Sequence, residues 1–241
     1  MGVLERQTQR RKTWWQFYSK RRFGILLIIL ALLLVGPPVL LGFGMSACWF
    51  DGLISLVMLA AIISLCFERR QRWFALSLGI PTILFSVGGH ALPGEVSGWV
   101  LLAGHVCEVS FFIGAAVLIV KSLFNSRSLT FDSIFGAACG YLCLGLGCAV
   151  LYSMIATFRP DSFAISRSLV AGESAGSLPQ LLTYYSFVTL ATVGYGDITP
   201  VSPAARTVAW IEAIAGQFYL AVVVAALVSI FVAKKMRPDG T

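Results

Sequence analysis

Six long stretches of the chain are built almost entirely from apolar residues and are separated by short polar segments. They hold 17 to 27 residues each, and the only charged residues inside them are Asp51, Glu108 and Glu212. A helix of about 20 apolar residues crosses the roughly 30 Å hydrocarbon core of a bilayer. The pattern therefore predicts six membrane-spanning helices, at residues 23–43, 47–67, 73–89, 98–120, 133–158 and 207–233.

The composition agrees with a membrane protein and excludes several other classes. Hydrophobic residues make up 58% of the 241 residues, charged residues only 12%, and the mean hydropathy is +0.84. A soluble domain of average composition carries about 25% charged residues, so this chain has too few polar groups to cover its apolar surface. A soluble globular domain, a disordered tail and a collagen-like fibre are therefore excluded.

The side chains offer no catalytic or metal-binding pattern. The six cysteines lie inside or at the ends of apolar stretches, and none has the loop spacing of a zinc site or a secreted disulfide framework. We interpret them as buried hydrophobic residues. No nucleophile–base pair or phosphate-binding loop stands out, so we expect neither an enzyme nor a bound cofactor.

Most Lys and Arg residues lie on one side of the membrane if the chain crosses it six times. Fifteen of the eighteen lie in residues 1–22, in the loops after helices two and four, or after residue 233. The positive-inside rule then puts both termini in the cytoplasm, with a basic and aromatic segment at 1–22 and a short tail at 234–241. We interpret the net charge of +7 as a topology signal, and expect a multi-pass protein of the cell membrane that binds no nucleic acid.

A polar loop after the fifth stretch leads into an apolar segment that is too short to cross a bilayer. Ser177 followed by Gln180 matches the capping box of a helix start, and Pro179 suits the first helical turn. The apolar residues 181–191 then give only about half a membrane-spanning helix. The sequence therefore predicts an all-α membrane protein of six transmembrane helices, with a re-entrant half-helix between helices five and six.

The half-helix leads into the sequence TVGYGD at residues 192–197. This motif is identical to the selectivity-filter signature of potassium channels, and the chain resembles that family. The odds of an accidental six-residue match are on the order of one in a few hundred thousand. In the family, backbone carbonyl oxygens replace the hydration shell of K⁺, and glycines accept the backbone angles that this requires. The resemblance implies that K⁺ binds at Thr192, Val193, Gly194 and Tyr195, with Gly196 completing the filter.

The resemblance also implies an assembly and a function. The chain carries one filter signature, whereas a filter needs four strands around an axis, so the expected partners are three further copies of the chain in a lipid bilayer. The expected function is conduction of K⁺ down its electrochemical gradient, with K⁺ as the permeant ion and no cofactor. Three alternatives stay open: a non-conducting accessory or structural membrane protein, a weakly selective cation channel, and a K⁺ transporter subunit. Such transporters carry four filter-like repeats in one long chain.

Residues around the motif fit the pattern of the family. Tyr184 and Tyr185 stand where the family has aromatic residues that form a cuff around the filter, and Asp197 follows the filter directly. Val188 stands where some bacterial members carry a buried acid. Gly216 stands where inner helices often have a hinge glycine, and a packing role is the alternative. The residues that would face the pore near this glycine are Gln217, Leu220, Val224 and Val228.

The resemblance is confined to a pore domain at residues 133–233, which would comprise an outer helix, a pore helix, the filter and an inner helix. Residues 23–121, joined to it by a linker at 122–132, resemble a voltage-sensing domain in helix count alone. Such a sensor needs Arg or Lys at every third position of its fourth helix, and residues 98–120 contain none. We therefore expect a channel that is not voltage-gated.

His105 and Glu108 form an ionisable pair inside the first four predicted helices. They are three residues apart and share one face of the fourth helix. A bare carboxylate at the centre of a bilayer is costly, so we expect Glu108 to be protonated, hydrogen-bonded to His105 or exposed to a wet crevice. Two interpretations stay open: polar packing between helices, or a protonation sensor that makes channel opening depend on pH.

Overall fold

A computed structural model describes residues 22–36, 76–82, 95–125, 131–170 and 177–226, together with the single positions 73, 84, 85, 228, 229 and 232. Its elements are helix α1 (Arg22–Gly36), helix α2 (Glu95–Asn125), helix α3 (Phe131–Phe158), a 3₁₀ turn (Pro160–Ser162), strand β1 (Phe163–Ile165), the one-turn helix α4 (Arg167–Val170), helix α5 (Leu178–Leu190), strand β2 (Ile198–Pro200) and helix α6 (Pro203–Phe218). A π-helical turn, Tyr219–Val224, continues α6, and residues 76–82 are also helical.

Three helices of the described chain are long and apolar enough to cross a membrane. They are Gly98–Phe124, Asp132–Phe158 and Pro203–Val224, and they correspond to the fourth, fifth and sixth predicted spans. Helix α1 is apolar but shorter, and it covers the first part of the first predicted span. The second predicted span lies outside the described residues, and the third is described only in part.

The first hydrophobic core joins α1, α2 and α3. Leu26, Leu30 and Leu33 recur every three or four residues along α1, so they share one face of the helix, and all three are buried. They belong to one cluster with Phe111 and Ile119 of α2 and with buried cysteines of α3. The cysteines of this cluster are therefore packed as hydrophobic residues, as predicted.

One polar contact fixes the start of α1 against α3. The carboxylate of Asp132 accepts hydrogen bonds from the backbone N–H groups of Gly24 at 3.0 Å and Phe23 at 3.4 Å. The first N–H groups of a helix have no partner within the helix and carry the positive end of its dipole. Asp132 therefore caps α1 from a neighbouring helix.

The second core lies around Tyr152 of α3, which is fully buried. The rings of Tyr152, Phe163 and Tyr185 contact one another edge to face, with centroids 5.0–5.6 Å apart. Phe163 belongs to β1, which pairs with β2 in an antiparallel orientation. In this pairing Phe163 lies opposite Pro200. The chain before α5, predicted as a polar loop, thus contains a strand, and the predicted all-α class is corrected to a mostly helical fold.

Helix α6 does not continue as the regular helix predicted for residues 207–233, because it becomes π-helical at Tyr219. The Tyr219 hydroxyl donates a hydrogen bond to the carbonyl oxygen of Ala137 in α3 at 2.7 Å. A Cβ atom on Gly140 would overlap that hydroxyl, so the glycine leaves the space that Tyr219 occupies. The π-helical turn is thereby tied to α3.

Candidate functional site

The short helix α5 begins as the sequence predicts. The Ser177 N–H donates a hydrogen bond to the side-chain oxygen of Gln180 at 2.9 Å, and Pro179 lies in the first turn. The helix has 13 residues and is therefore about 20 Å long, too short to cross a bilayer. It packs between α3 and α6, with its C-terminus leading directly into the TVGYGD motif.

The last turn of α5 holds the first residues of the motif through backbone groups. The carbonyl oxygen of Val188 accepts hydrogen bonds from the N–H groups of Val193 at 2.9 Å and Gly194 at 3.4 Å. Val188, predicted to support the filter, thus contacts the motif through its carbonyl group. The position of α5 therefore sets the position of the motif.

The backbone of the motif alternates in handedness. The φ angle is +57° at Thr192, +60° at Gly194 and +77° at Gly196, whereas Val193 and Tyr195 do not have positive φ. Successive carbonyl groups of an ordinary strand point to opposite sides, and reversing the handedness at every second residue turns them to the same side. Glycine adopts positive φ without steric cost, but a β-branched residue does not, so the surrounding structure imposes this conformation on Thr192.

Tyr184 of α5 contacts the far end of the motif. Its hydroxyl donates a hydrogen bond to the carboxylate of Asp197 at 2.6 Å, and its ring stacks on Tyr195 with centroids 6.5 Å apart. The structure thus brings together three of the predicted site residues.

Tyr185 points away from the motif. Its side chain is buried against Tyr152 of α3 and Phe163 of β1, in the second core. Of the two tyrosines predicted to form a cuff, Tyr184 contacts the motif, whereas Tyr185 packs behind α5.

The near end of the motif contacts α6. The side-chain amide of Gln217 donates a hydrogen bond to the Thr192 hydroxyl at 3.2 Å. An open recess of about 410 Å³ lies beside this contact, lined by Thr192, Ala213, Ile214, Gln217, Phe218 and Ala221. The other residues predicted to face the pore are exposed in the single chain; they are Leu220, Val224 and Val228.

Gly216 is the point where α6 comes closest to the end of α5. The glycine is buried, and a Cβ atom there would overlap the carbonyl oxygen of Leu190, the last residue of α5. The same carbonyl oxygen accepts a hydrogen bond from the Tyr141 hydroxyl at 3.2 Å. The packing alternative for Gly216 therefore has a direct structural reason, and the hinge role stays a prediction.

The structure also contains a polar cluster that the sequence analysis did not identify. Glu212 of α6 is 1% exposed, and the Tyr152 hydroxyl donates a hydrogen bond to its Oε2 at 2.6 Å. Its Oε1 contacts the hydroxyl of Ser186, which is itself fully buried in α5. The sequence contained a signal for Glu212, because a carboxyl group inside an apolar stretch is rare and marks a candidate functional residue.

The His105–Glu108 pair lies elsewhere. Glu108 is buried and His105 half-buried on α2, and each of the two residues has an interaction partner. Among the described elements, α2 packs mainly against α3. Within the described part of the chain, no group of three or more His, Cys, Asp or Glu residues could hold a metal ion.

The comparisons with known proteins support a channel architecture. A family model described as "Ion channel" matches residues 142–233, which span most of α3, α5, the motif and α6. Protein LctB of Bacillus caldotenax is 34% identical over 127 residues, covering 47% of this chain and 90% of that protein. Protein LctB of Geobacillus stearothermophilus is 36% identical over 99 residues, covering 41% of this chain and 72% of that protein. No solved structure matches the chain. The chain belongs to the ion channel family.

Proposed function

We infer that the protein is a potassium-selective channel in which the carbonyl groups of residues 192–196 bind the permeant ion. The alternating handedness of this backbone is the observation that carries the proposal, because it turns successive carbonyl groups to one side. A column of such oxygens can replace the water around K⁺. The bound sites would lie at Thr192, Val193, Gly194 and Tyr195, and the ion would be cargo rather than a cofactor.

The proposal requires four copies of the chain. One chain supplies one strand of oxygens, which cannot surround an ion. The side chains of Val193 and Tyr195 are 51% and 70% exposed in the single chain. Irregular backbone at membrane depth is tolerated only where it is packed in protein or lines a wet cavity. Three further copies around one axis would both pack against the motif and enclose a wet cavity.

The flanking helices suit a cation pathway. Helix α5 ends at the motif, and the C-terminal carbonyl groups of a helix carry the negative end of its dipole. The open recess beside Thr192 would then be part of a water-filled cavity in which a cation is stabilised before it enters the filter. Ions would leave again because several weak sites in a row share the binding.

The distribution of Lys and Arg gives the orientation. With fifteen of eighteen on one side of a six-helix threading, both termini would be cytoplasmic, and α5 would enter from the outer side of the cell membrane. The first four helices would form a domain without the basic residues of a voltage sensor, because residues 98–120 carry none.

Ion flux from liposomes tests the function. Purified protein should release K⁺ in strong preference to Na⁺. Gly194→Ala should abolish this preference or the flux, because φ is +60° there and a side chain in that conformation costs about 1–2 kcal/mol in each subunit. In the single chain a Cβ atom on Gly194 meets nothing within 4 Å, so the strain expected there comes from the backbone conformation.

Gly98→Ala is the matched control, since a Cβ atom there also meets nothing within 4 Å and no positive φ is involved. It should leave flux unchanged. A parent protein that assembles but passes no ion would support the non-conducting alternative. Equal passage of Na⁺ and K⁺ would support a weakly selective cation channel. Selective K⁺ flux in Gly194→Ala would show that the filter assignment is wrong.

A further inference from the structure

The contacts of Ser186 indicate where a hydrogen atom lies in the buried cluster. Its hydroxyl has a single hydrogen, but two acceptor oxygens lie within hydrogen-bonding distance of its Oγ. One is the carbonyl oxygen of Gly145 at 2.7 Å, and the other is Oε1 of Glu212. If Glu212 were a carboxylate, one of these two close oxygen–oxygen contacts would contain no hydrogen. A proton on Oε1 removes the conflict, because Glu212 then donates to Ser186 and Ser186 donates to Gly145.

The other carboxyl oxygen fits the same state. The Tyr152 hydroxyl donates to Oε2, which acts as the carbonyl oxygen of a neutral acid. Every polar hydrogen of the cluster then has an acceptor, which is the condition under which a buried polar network is stable.

Among the described residues, none provides a positive charge next to the carboxyl group of Glu212. The titratable groups that interact with Glu212 in the described chain are Tyr141, Cys148 and Tyr152 from α3 and Tyr185 from α5. None of them is a base. A buried carboxylate without a cationic partner is far more costly than a neutral acid that is fully hydrogen-bonded.

We propose that Glu212 is a neutral carboxylic acid whose proton joins α6 to α5 and α3, and that it thereby positions the filter from behind. The proposal rests on the proposed function, because the filter is its readout. Ser186 lies one helical turn before Leu190, and the last turn of α5 binds the first N–H groups of the motif. Displacing α5 therefore displaces the inner end of the filter. Glu212 acts on the filter through Ser186 and α5, and it is therefore a positioning residue.

Infrared difference spectroscopy of the full-length protein in liposomes at neutral pH tests the protonation state. Subtracting the spectrum of Glu212→Gln from that of the parent should leave the C=O stretching band of a protonated carboxylic acid. Glu108→Gln removes a different buried carboxyl group and should leave that band in place. Tyr152→Phe should move the band to higher frequency, because the carbonyl oxygen loses its donor. A difference spectrum with carboxylate bands alone would overturn the proposal.

Flux measurements test the positioning role. In Glu212→Gln the amide donates to Ser186 and accepts from Tyr152, so K⁺ flux and K⁺/Na⁺ preference should stay within about twofold of the parent. Glu212→Leu leaves both hydroxyl groups without this partner and should lower flux by roughly tenfold or more. Ser186→Ala removes one hydroxyl, should fall between the two, and replaces Glu212→Leu as the test if that variant does not assemble.

Two results separate the failure of this proposal from the failure of the proposed function. A loss of flux in assembled Glu212→Gln as large as the loss in Glu212→Leu would overturn the positioning role. A parent protein without selective K⁺ flux would refute the potassium channel instead, while the infrared band would still determine whether Glu212 carries a proton.

Discussion

Gly216→Ala adds one methyl group at the closest approach of α6 to α5. The new Cβ atom would overlap the carbonyl oxygen of Leu190 and lie 2.9 Å from the Cδ1 atom of the same residue. A flexible side chain can turn away from such an atom. The carbonyl group cannot, because it belongs to the backbone of α5 and accepts the hydrogen bond of the Tyr141 hydroxyl. The two helices must therefore separate.

The size of the effect follows from the kind of clash. An extra methyl group in a well-packed interior costs about 1–3 kcal/mol. For a chain of this length, each 1 kcal/mol shifts the thermal midpoint by about 2–4 °C, so Gly216→Ala should lower it by about 2–12 °C. Gly98→Ala is the control, because a Cβ atom there meets nothing within 4 Å. Alanine stabilises a helix by about 0.5–1 kcal/mol over glycine, so this variant should melt at or slightly above the midpoint of the parent.

The assay is a thermal melt of the detergent-solubilised protein, combined with K⁺ flux from liposomes made from the same preparation. Close packing predicts that Gly216→Ala loses stability and flux together. A pure hinge role predicts normal stability with altered opening. A Gly216→Ala midpoint equal to that of the parent, with Gly98→Ala behaving as expected, would refute the packing argument.

Three further predictions concern selectivity, voltage and pH. Tyr184→Phe removes the donor to Asp197 and should lower K⁺/Na⁺ selectivity about two- to fivefold, the equivalent of roughly 0.5–1 kcal/mol for a partly exposed hydrogen bond; unchanged selectivity in the flux assay would contradict it. Open probability should vary only shallowly with voltage in single-channel recordings, because residues 98–120 contain no Lys or Arg and each moving charge would supply only about 2.3 kcal/mol per 100 mV. The sensor hypothesis predicts that His105→Gln and Glu108→Gln displace the pH–activity curve; curves that superimpose on that of the parent would assign the pair to helix packing.

The hydrophobic pattern was sufficient to predict the longest elements of the described chain. The fifth predicted span, residues 133–158, is α3, and the half-helix predicted at 181–191 is α5, displaced toward its capping residue. Burial of an apolar surface and a local capping motif determine both elements, and both signals are written in consecutive residues. The strands β1 and β2 have three residues each and depend on pairing across more than thirty residues of sequence, so no periodicity in the sequence predicts them.

The site could be read from sequence only where the backbone demands a particular residue. Gly194 and Gly196 are needed for positive φ, so the motif is visible in the sequence. The cluster behind it depends on distance in space. Tyr152 and Ser186 lie 60 and 26 positions from Glu212, and nothing in the chain indicates that three helices bring them together. Glu212 could have been identified by the argument that was applied to Glu108, because a carboxyl group inside a membrane-spanning stretch is costly.

The contacts of α6 also bear on where this helix can bend. Glu212 and Gly216 are one turn apart, and they meet Ser186 and Leu190, which are one turn apart on α5. The part of α6 up to Gly216 therefore packs against α5, with one turn of α6 facing one turn of α5. Bending at Gly216 would break the closest contact between the two helices. The π-helical turn begins three residues later, after the last of these contacts, and its hydrogen bonds already depart from the regular helical pattern. Bending within the π-helical turn would preserve the contacts that position the motif. Bending at Gly216 would break them.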